Sequence, residues 1–170
     1  MKPIYIVGFM GAGKTSLGKK IAHQLGYNFV DLDKAIEDKV EQTVTHLFAE
    51  KGEYYFRMKE SEVLKEISLA NTVIACGGGT PCFNNNLDFM FDGGLVIYLK
   101  LEPGLILNRL QRNRIKRPLV ASLSDEELVK YVYEKLAERE FYYINAHIIF
   151  YPMRDKLENL VMLLNKENES

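Results

Sequence analysis

The chain has 170 residues, 47% of them hydrophobic, which suits one compact globular domain with its own core. Its 22 basic and 23 acidic residues give a net charge of −1, and this balance argues against a dedicated nucleic-acid-binding protein. No apolar run approaches the length of a membrane span, and the N-terminus lacks the layout of a signal peptide. We therefore expect a cytoplasmic monomer without membrane contact, in which Cys76 and Cys82 are reduced thiols.

Short apolar runs alternate with longer helical patterns along the chain. The apolar runs predict five strands, at residues 4–7, 29–31, 72–75, 95–99 and 147–150. The helical patterns occupy residues 16–25, 34–40, 43–70 with a break near Gly52, 103–112, 125–143 and 154–164. This alternation predicts a three-layer α/β/α fold, in which helices cover both faces of a central five-stranded parallel sheet. Ligands of such sheets bind at the carboxyl ends of the strands, so residues that follow strands are the candidates for chemistry.

The segment after the first predicted strand, GFMGAGKT at residues 8–15, matches the phosphate-binding pattern G-x-x-x-x-G-K-[ST] in full. Glycines let the backbone wrap closely enough for successive N–H groups to point at phosphate oxygens, and the helix that follows adds its positive end. Lys14 is expected to reach the β- and γ-phosphates, and the Thr15 hydroxyl is expected to ligate Mg²⁺. The motif therefore predicts a protein that binds a nucleoside triphosphate with magnesium and transfers its terminal phosphate.

Two aspartates, Asp31 and Asp33, lie where the second predicted strand ends. In an extended chain both carboxylates point to the same side, because residues two apart share a face. Beside a triphosphate, one carboxylate can hold magnesium through water, and the other can accept a proton from the hydroxyl that is phosphorylated. The alternative is a structural role, in which Asp33 caps the helix that starts at Lys34. The preceding P-loop favours the catalytic interpretation.

Arg57 and Arg139 are candidates for binding an acidic acceptor. Arg57 lies in an aromatic-rich segment, where its guanidinium could hold a carboxylate in a bidentate fork. Taken alone, however, Arg57 is better explained as a surface helix residue that pairs with Glu53 or Glu60. Arg139 is flanked by two glutamates, so a structural ion pair is the competing explanation there. The residues by themselves leave both arginines undecided.

Residues 109–117 carry five basic side chains and no acidic one, and Pro118 is expected to stop regular structure after them. The balanced total charge disfavours a nucleic-acid patch here. A basic loop that closes over ATP as a lid, at about residues 112–124, fits better, with one arginine stabilising charge on the transferred group.

Three consecutive glycines, at residues 77–79, follow the third predicted strand. One glycine normally suffices for a tight turn, so three indicate that backbone amides approach a small ligand closely.

Together these features resemble the shikimate kinase family, whose members phosphorylate shikimate in aromatic amino-acid biosynthesis. The resemblance runs from Tyr5 to about Phe150 and rests on six elements in order: residues 8–15, Asp31-x-Asp33, Gly52-Glu53-x-x-Phe56-Arg57, Gly77-Gly78-Gly79, Arg117-Pro118-Leu119 and Arg139-x-x-x-Tyr143. It implies a P-loop kinase fold in a single domain of residues 1–170, with a substrate-binding region at about residues 33–60. The implied reaction is ATP-dependent phosphorylation of the shikimate 3-hydroxyl.

The resemblance also implies roles for individual residues. The residues implied to bind ATP are Gly11, Ala12, Gly13, Lys14, Thr15, Ser16, Arg109 and Arg117. Those implied to bind shikimate are Asp33, Arg57, Gly78, Gly79 and Arg139, with Phe48 and Phe56 as walls of the pocket. The residues implied to be catalytic are Asp33, Lys14 and the lid arginine Arg117. Those implied to bind magnesium are Thr15 and Asp31. Either Arg109 or Arg112 stacks on adenine, and we prefer Arg109.

Three other functions are weighed against this one. Another small-molecule kinase on the same scaffold, such as a gluconate or nucleoside monophosphate kinase, is the nearest. A nucleotide-dependent switch protein would leave Arg57, Arg139 and the glycine triplet without a task. Nucleic-acid binding through residues 109–117 predicts salt-sensitive affinity for DNA or RNA.

Overall fold

The structure is a computed structural model that describes residues 1–113 and 118–169. Its five strands form one parallel sheet in the order β2-β3-β1-β4-β5. In chain order the strands are β1 (Ile4–Val7), β2 (Asn28–Asp31), β3 (Thr72–Ala75), β4 (Leu95–Leu99) and β5 (Ile148–Phe150). The central strand β1 is fully buried, and its Tyr5 pairs with Ile74 on one side and Val96 on the other. Burial explains why β1, β3 and β4 are nearly continuous apolar runs in the sequence.

Eight helices lie in the described ranges: α1 (Lys14–Leu25), α2 (Leu32–Val40), α3 (Val44–Ile67), α4 (Asn86–Gly93), α5 (Pro103–Arg112), α6 (Pro118–Ala121), α7 (Asp125–Tyr143) and α8 (Leu157–Glu169). None of these helices combines the length and the apolar character that crossing a membrane requires. A single turn of 3-10 helix at Thr80–Cys82 follows β3. Cys76 and Cys82 are both free thiols, as predicted.

The sheet separates two hydrophobic clusters, and β1 contributes alternate residues to them. Ile4 and Ile6 pack in a cluster with side chains from α1, α5, α7 and α8. Tyr5 and Val7 pack in the other cluster, with side chains from α2, α3 and α4. The predicted three-layer α/β/α fold with a five-stranded parallel sheet is therefore confirmed.

Several predicted boundaries need correction. Helix α2 starts at Leu32 rather than Lys34, α1 starts at Lys14 rather than residue 16, and the last helix starts at Leu157 rather than residue 154. Pro118 was expected to stop regular structure but opens α6, because proline fits the first turn of a helix, where its missing N–H leaves no bond unmade. The predicted break near Gly52 is confirmed, since φ is 80° and ψ is 172° there inside α3.

Candidate active site

The P-loop wraps a cavity of about 570 Å³ between β1 and α1. Gly11 and Gly13 have φ values of 78° and 102°, in the left-handed region that side chains disfavour. These glycines allow the loop to turn sharply before α1 begins at Lys14. The P-loop residues that line the cavity are Met10, Gly11, Gly13, Lys14 and Thr15, followed by Ser16 of α1, whereas Ala12 is buried.

Two basic side chains brace the loop. Lys14 donates from Nζ to the carbonyl oxygens of Gly8 at 2.7 Å and Phe9 at 2.9 Å. Arg109, from α5, donates from Nη1 to the carbonyl oxygen of Ala12 at 2.7 Å. The ammonium of Lys14 thus lies within the phosphate cavity, and Arg109 supports the loop from outside.

Thr15 and Asp31 lie together in the lining of the same cavity. Thr15 Oγ1 donates to Asp31 Oδ2 at 2.7 Å, and the other oxygen, Oδ1, accepts from the backbone N–H of Lys34 at 3.4 Å. Asp31 therefore caps α2, and the alternative that Asp33 is the cap is wrong, because the helix starts two residues earlier than predicted. A hydroxyl and a carboxylate oxygen side by side are hard oxygen ligands of the kind that suit Mg²⁺.

Asp33 lies in the first turn of α2 and lines the phosphate cavity together with a second one. Asp33 is accessible from the cavities, but the protein around it displaces much of the water that would solvate its carboxylate. This desolvation is the main cause, and repulsion from Asp31 and Glu60 the second, that raises the pKa of Asp33 to about 6. Lys14 opposes the rise but does not cancel it. The carboxylate is therefore a proton acceptor that ionises at a pH just below neutral.

The second cavity, about 580 Å³ in volume, adjoins the first, and we call it the acceptor cavity. The residues common to both linings are Met10, Asp33, Gly77 and Gly78. Phe48 and Phe56 form one wall, with ring centroids 4.5 Å apart. Leu119 from α6 lines the acceptor cavity as well.

Arg57 reaches the acceptor cavity from α3 and is largely buried. Its Nη1 donates to Glu60 at 2.8 Å, and Nε and Nη2 both contact Glu53 at 3.3 Å. The guanidinium lies over the ring of Phe83, with Cζ 4.2 Å from the ring centroid. The sequence suggested Glu60 only as a surface ion-pair partner of Arg57. In the structure its side chain is 1% exposed and forms part of the site.

Arg139 also lines the acceptor cavity, and the neighbouring glutamates are engaged elsewhere. Glu138 pairs with Lys135 at 2.7 Å, and Glu140 pairs with Lys100 at 2.5 Å. Nη1 of Arg139 instead lies 3.2 Å from the position of a Cβ on Gly78. The competing explanation of a structural ion pair is therefore not what the described residues show.

The glycine triplet is required for space rather than for backbone conformation. None of the three glycines has a positive φ. A Cβ on Gly79 would lie 2.5 Å from Arg57 Nη2, and one on Gly77 would lie 3.1 Å from Glu60 Oε1. The triplet therefore lets side chains of the site approach the loop.

Some predicted residues are not tested by this geometry, and one was missed. Arg117, the predicted lid arginine, lies outside the described residues. Arg112 is exposed at the end of α5. Glu37 lines the acceptor cavity, and its Oε1 accepts from the N–H of Val44 at 3.0 Å, which ties α2 to α3. Its position one helical turn after Asp33 was a signal that could have identified it.

The fold, the P-loop and the adjoining acceptor cavity define a P-loop kinase. A family model described as shikimate kinase matches residues 10–164. The chain belongs to the shikimate kinase family.

Individual relatives agree with the family model. A shikimate kinase from Phocaeicola vulgatus is 42% identical over 160 residues, which cover 94% of this chain and 90% of the relative. A crystal structure of shikimate kinase from Bacteroides thetaiotaomicron matches with a TM-score of 0.88 and 37% identity, and it covers 99% of this chain and 98% of its own. A shikimate kinase from Acinetobacter baumannii, solved in complex with shikimate, has a TM-score of 0.85 and 33% identity, with coverage of 98% and 92%.

Proposed function

We propose that the protein transfers the γ-phosphoryl group of ATP to the 3-hydroxyl of shikimate, which gives shikimate 3-phosphate and ADP. The observation that carries the proposal is the position of Asp33, which lines both the phosphate cavity and the acceptor cavity. A hydroxyl bound beside Asp33 would face the end of a triphosphate held by the P-loop. Membership of the shikimate kinase family supports shikimate as the acceptor.

On the acceptor side, we assign the shikimate carboxylate to Arg57 and Arg139. Both guanidinium groups line the acceptor cavity, and planar guanidinium groups bind carboxylates in a bidentate manner. Gly78 and Gly79 line the cavity as well, beside Arg139 and Arg57 respectively. Asp33 accepts the proton of the attacking hydroxyl as the oxygen–phosphorus bond forms.

On the phosphate side, the P-loop amides and Lys14 bind the phosphates, and Lys14 stabilises charge on the transferred group. Thr15 and Asp31 would hold the Mg²⁺ that accompanies ATP, and this ion supplies charge neutralisation of the phosphates. Arg117 is proposed to act from a lid at about residues 112–124 that excludes water, and Arg109 to contact adenine. The adjacency of Thr15 and Asp31 supports the magnesium assignment.

A coupled assay of ADP release tests the reaction. Shikimate, gluconate and nucleoside monophosphates are compared as acceptors at saturating ATP and magnesium. We expect ADP release to depend on shikimate, with a phosphorylated product that mass spectrometry identifies. Turnover with another acceptor and none with shikimate would refute the proposal.

We also propose that the protein works as a cytoplasmic monomer. The linings of both cavities come from one chain, so a second copy is not needed to complete them. The free thiols of Cys76 and Cys82 agree with a reducing compartment. Size-exclusion chromatography with light scattering tests the oligomeric state. Activity that co-elutes with an assembly larger than one chain would contradict the proposed monomer.

A further inference from the structure

A chain of buried hydrogen bonds leads from the turn after the glycine triplet to the Arg57 guanidinium. Thr80 Oγ1 donates to Glu60 Oε1 at 2.6 Å, and Glu60 Oε2 accepts from Arg57 Nη1 at 2.8 Å. Thr80 and Glu60 are both fully buried. Because each carboxylate oxygen has its own donor, the Thr80 hydroxyl fixes the rotation of the carboxylate that holds Arg57.

The same turn contacts Arg57 at two further points. The guanidinium carbon lies over the ring of Phe83, 4.2 Å from the ring centroid, which is the arrangement of a cation–π contact. Asn84 donates from Nδ2 to the backbone carbonyl oxygen of Arg57 at 2.9 Å. Asn84 and Asn85 both have positive φ, 51° and 53°, a conformation that asparagine tolerates better than most residues, and it keeps the turn tight against α3.

Asn86 fastens the end of this turn to its beginning and to α3. Its side chain is fully buried, accepts from Ser61 Oγ at 2.7 Å and donates to the carbonyl oxygen of Thr80 at 2.9 Å. Both ends of residues 80–86 are therefore held in place before any ligand binds. Thr80 and Phe83 lie behind Arg57, outside the lining of the acceptor cavity.

We propose that residues 80–86 are a positioning element for recognition of the acceptor carboxylate. Thr80 acts through Glu60, and Phe83 acts directly, to aim the Arg57 guanidinium into the acceptor cavity. A guanidinium that is held in place loses less conformational entropy when it binds a carboxylate, so the element raises affinity for the acceptor. This inference rests on the proposed role of Arg57 in binding shikimate.

Thr80→Val tests the element, because it removes the hydroxyl and keeps the shape of the side chain. We expect KM for shikimate to rise about tenfold, as for loss of one hydrogen bond to a charged group, while kcat and KM for ATP stay within about twofold. Thr72→Val is the matched control, since Thr72 is equally buried in β3 and its hydroxyl bonds only locally, to the carbonyl oxygen of Ala70. The control is expected to leave KM for shikimate unchanged.

A double-mutant cycle shows whether Thr80 acts through Arg57. In an Arg57→Lys background, Thr80→Val is expected to change KM for shikimate by less than about twofold. An unchanged KM in the single Thr80→Val variant, an equal rise in Thr72→Val, or a full rise in the Arg57→Lys background would overturn the inference.

Phe83→Leu provides a second test that does not alter the buried network. Phe83 is 36% exposed, so its replacement leaves the core intact, and KM for shikimate is expected to rise about threefold. An unchanged KM would contradict the contribution of Phe83. Turnover of shikimate by the unsubstituted protein is measured first and tests the proposed function separately, so its failure is distinguishable from failure of the positioning element.

Discussion

The two halves of the site are built in different ways. The phosphate-binding loop of the phosphate cavity is one continuous stretch of chain, residues 8–16, which is shaped by glycine conformation and braced through backbone carbonyls. The acceptor cavity draws on α2, α3, residues 77–79, α6 and α7, and its arginine is held by other side chains. Binding of phosphate is therefore a local property of the sequence, whereas recognition of the acceptor depends on tertiary packing.

The largest expected effect is on the phosphate side. Lys14→Ala should lower kcat by at least about 10³-fold, because it removes a positive charge directed at the transferred phosphoryl group. Affinity for shikimate, measured by calorimetry, is expected to stay near that of the unsubstituted protein. Lys20→Ala, on the exposed face of the same helix, is the control and should retain full activity. Loss of shikimate affinity in Lys14→Ala would show that the two halves are not separable.

Asp33 lies where the halves meet, and its replacement should affect the chemical step. Asp33→Asn is expected to lower kcat by about 10²-fold, a smaller loss than for Lys14 because phosphoryl transfer gains more from charge stabilisation than from a base. Since the pKa of Asp33 is raised to about 6, kcat/KM of the unsubstituted enzyme should fall as pH drops through that value. The fall should be absent from the profile of Asp33→Asn, and its persistence there would assign the titration to another group.

The same pKa has a consequence for stability. The ordinary value for aspartate is 3.8, so between that pH and about 6 the folded state binds a proton that the unfolded state releases. Ionised Asp33 therefore destabilises the fold; the loss of stability builds up between about pH 4 and 6 and is complete above that range. The melting temperature of Asp33→Asn should exceed that of the unsubstituted protein at about pH 7.5, and the difference should shrink towards about pH 4. A difference that does not vary with pH would contradict this.

Arg57→Lys probes the acceptor half. Lysine keeps a positive charge beside the buried Glu60. Arg57→Ala would leave that carboxylate buried without this positive partner and could unfold the protein. KM for shikimate is expected to rise about 30-fold because the bidentate fork is lost, and KM for ATP should serve as the unchanged internal reference. A loss of thermal stability without a change in KM would show that Arg57 is structural.

The contrast between the halves also explains what the sequence could predict. The P-loop motif and the apolar strands depend on neighbouring residues, so the sheet and the phosphate site could be predicted directly. Burial of Glu60 could not, because an i,i+3 pair of arginine and glutamate looks the same in sequence whether it lies on the surface or beneath a loop.

Helix α4 was missed for a similar reason. It begins within a run of asparagines, ends in glycines and has only eight residues, all features of a turn or loop. Its buried residues are Asn86 and Met90, and the polar Asn86 finds its partners in the backbone of Thr80 across a turn and in Ser61 on α3, which is distant in sequence. Only the tertiary fold reveals that such a residue belongs to the interior.

Alanine scanning of the glycine triplet sharpens the same contrast with smaller effects. Gly79→Ala should raise KM for shikimate about tenfold, because its Cβ would collide with a guanidinium that Glu60 and Phe83 prevent from moving. Gly78→Ala should raise it only about threefold, since the contact with Arg139 is looser at 3.2 Å. Gly104→Ala, whose Cβ would meet nothing within 4 Å, is the control. Equal effects at residues 78 and 79 would mean that Arg57 is less constrained than its contacts indicate.

The smallest effect is expected for Arg109→Met, which keeps most of the side-chain stem and removes the donors to the P-loop. The glycine-shaped loop should hold its form without them, so affinity for inorganic tripolyphosphate should fall only about twofold. Affinity for ATP should fall further, about fivefold, if Arg109 also contacts adenine. Comparing the two ligands by calorimetry separates support of the loop from contact with the base. Equal losses of affinity for the two ligands would show that Arg109 only braces the loop. The adenine contact would then be assigned to Arg112, at the exposed end of the same helix.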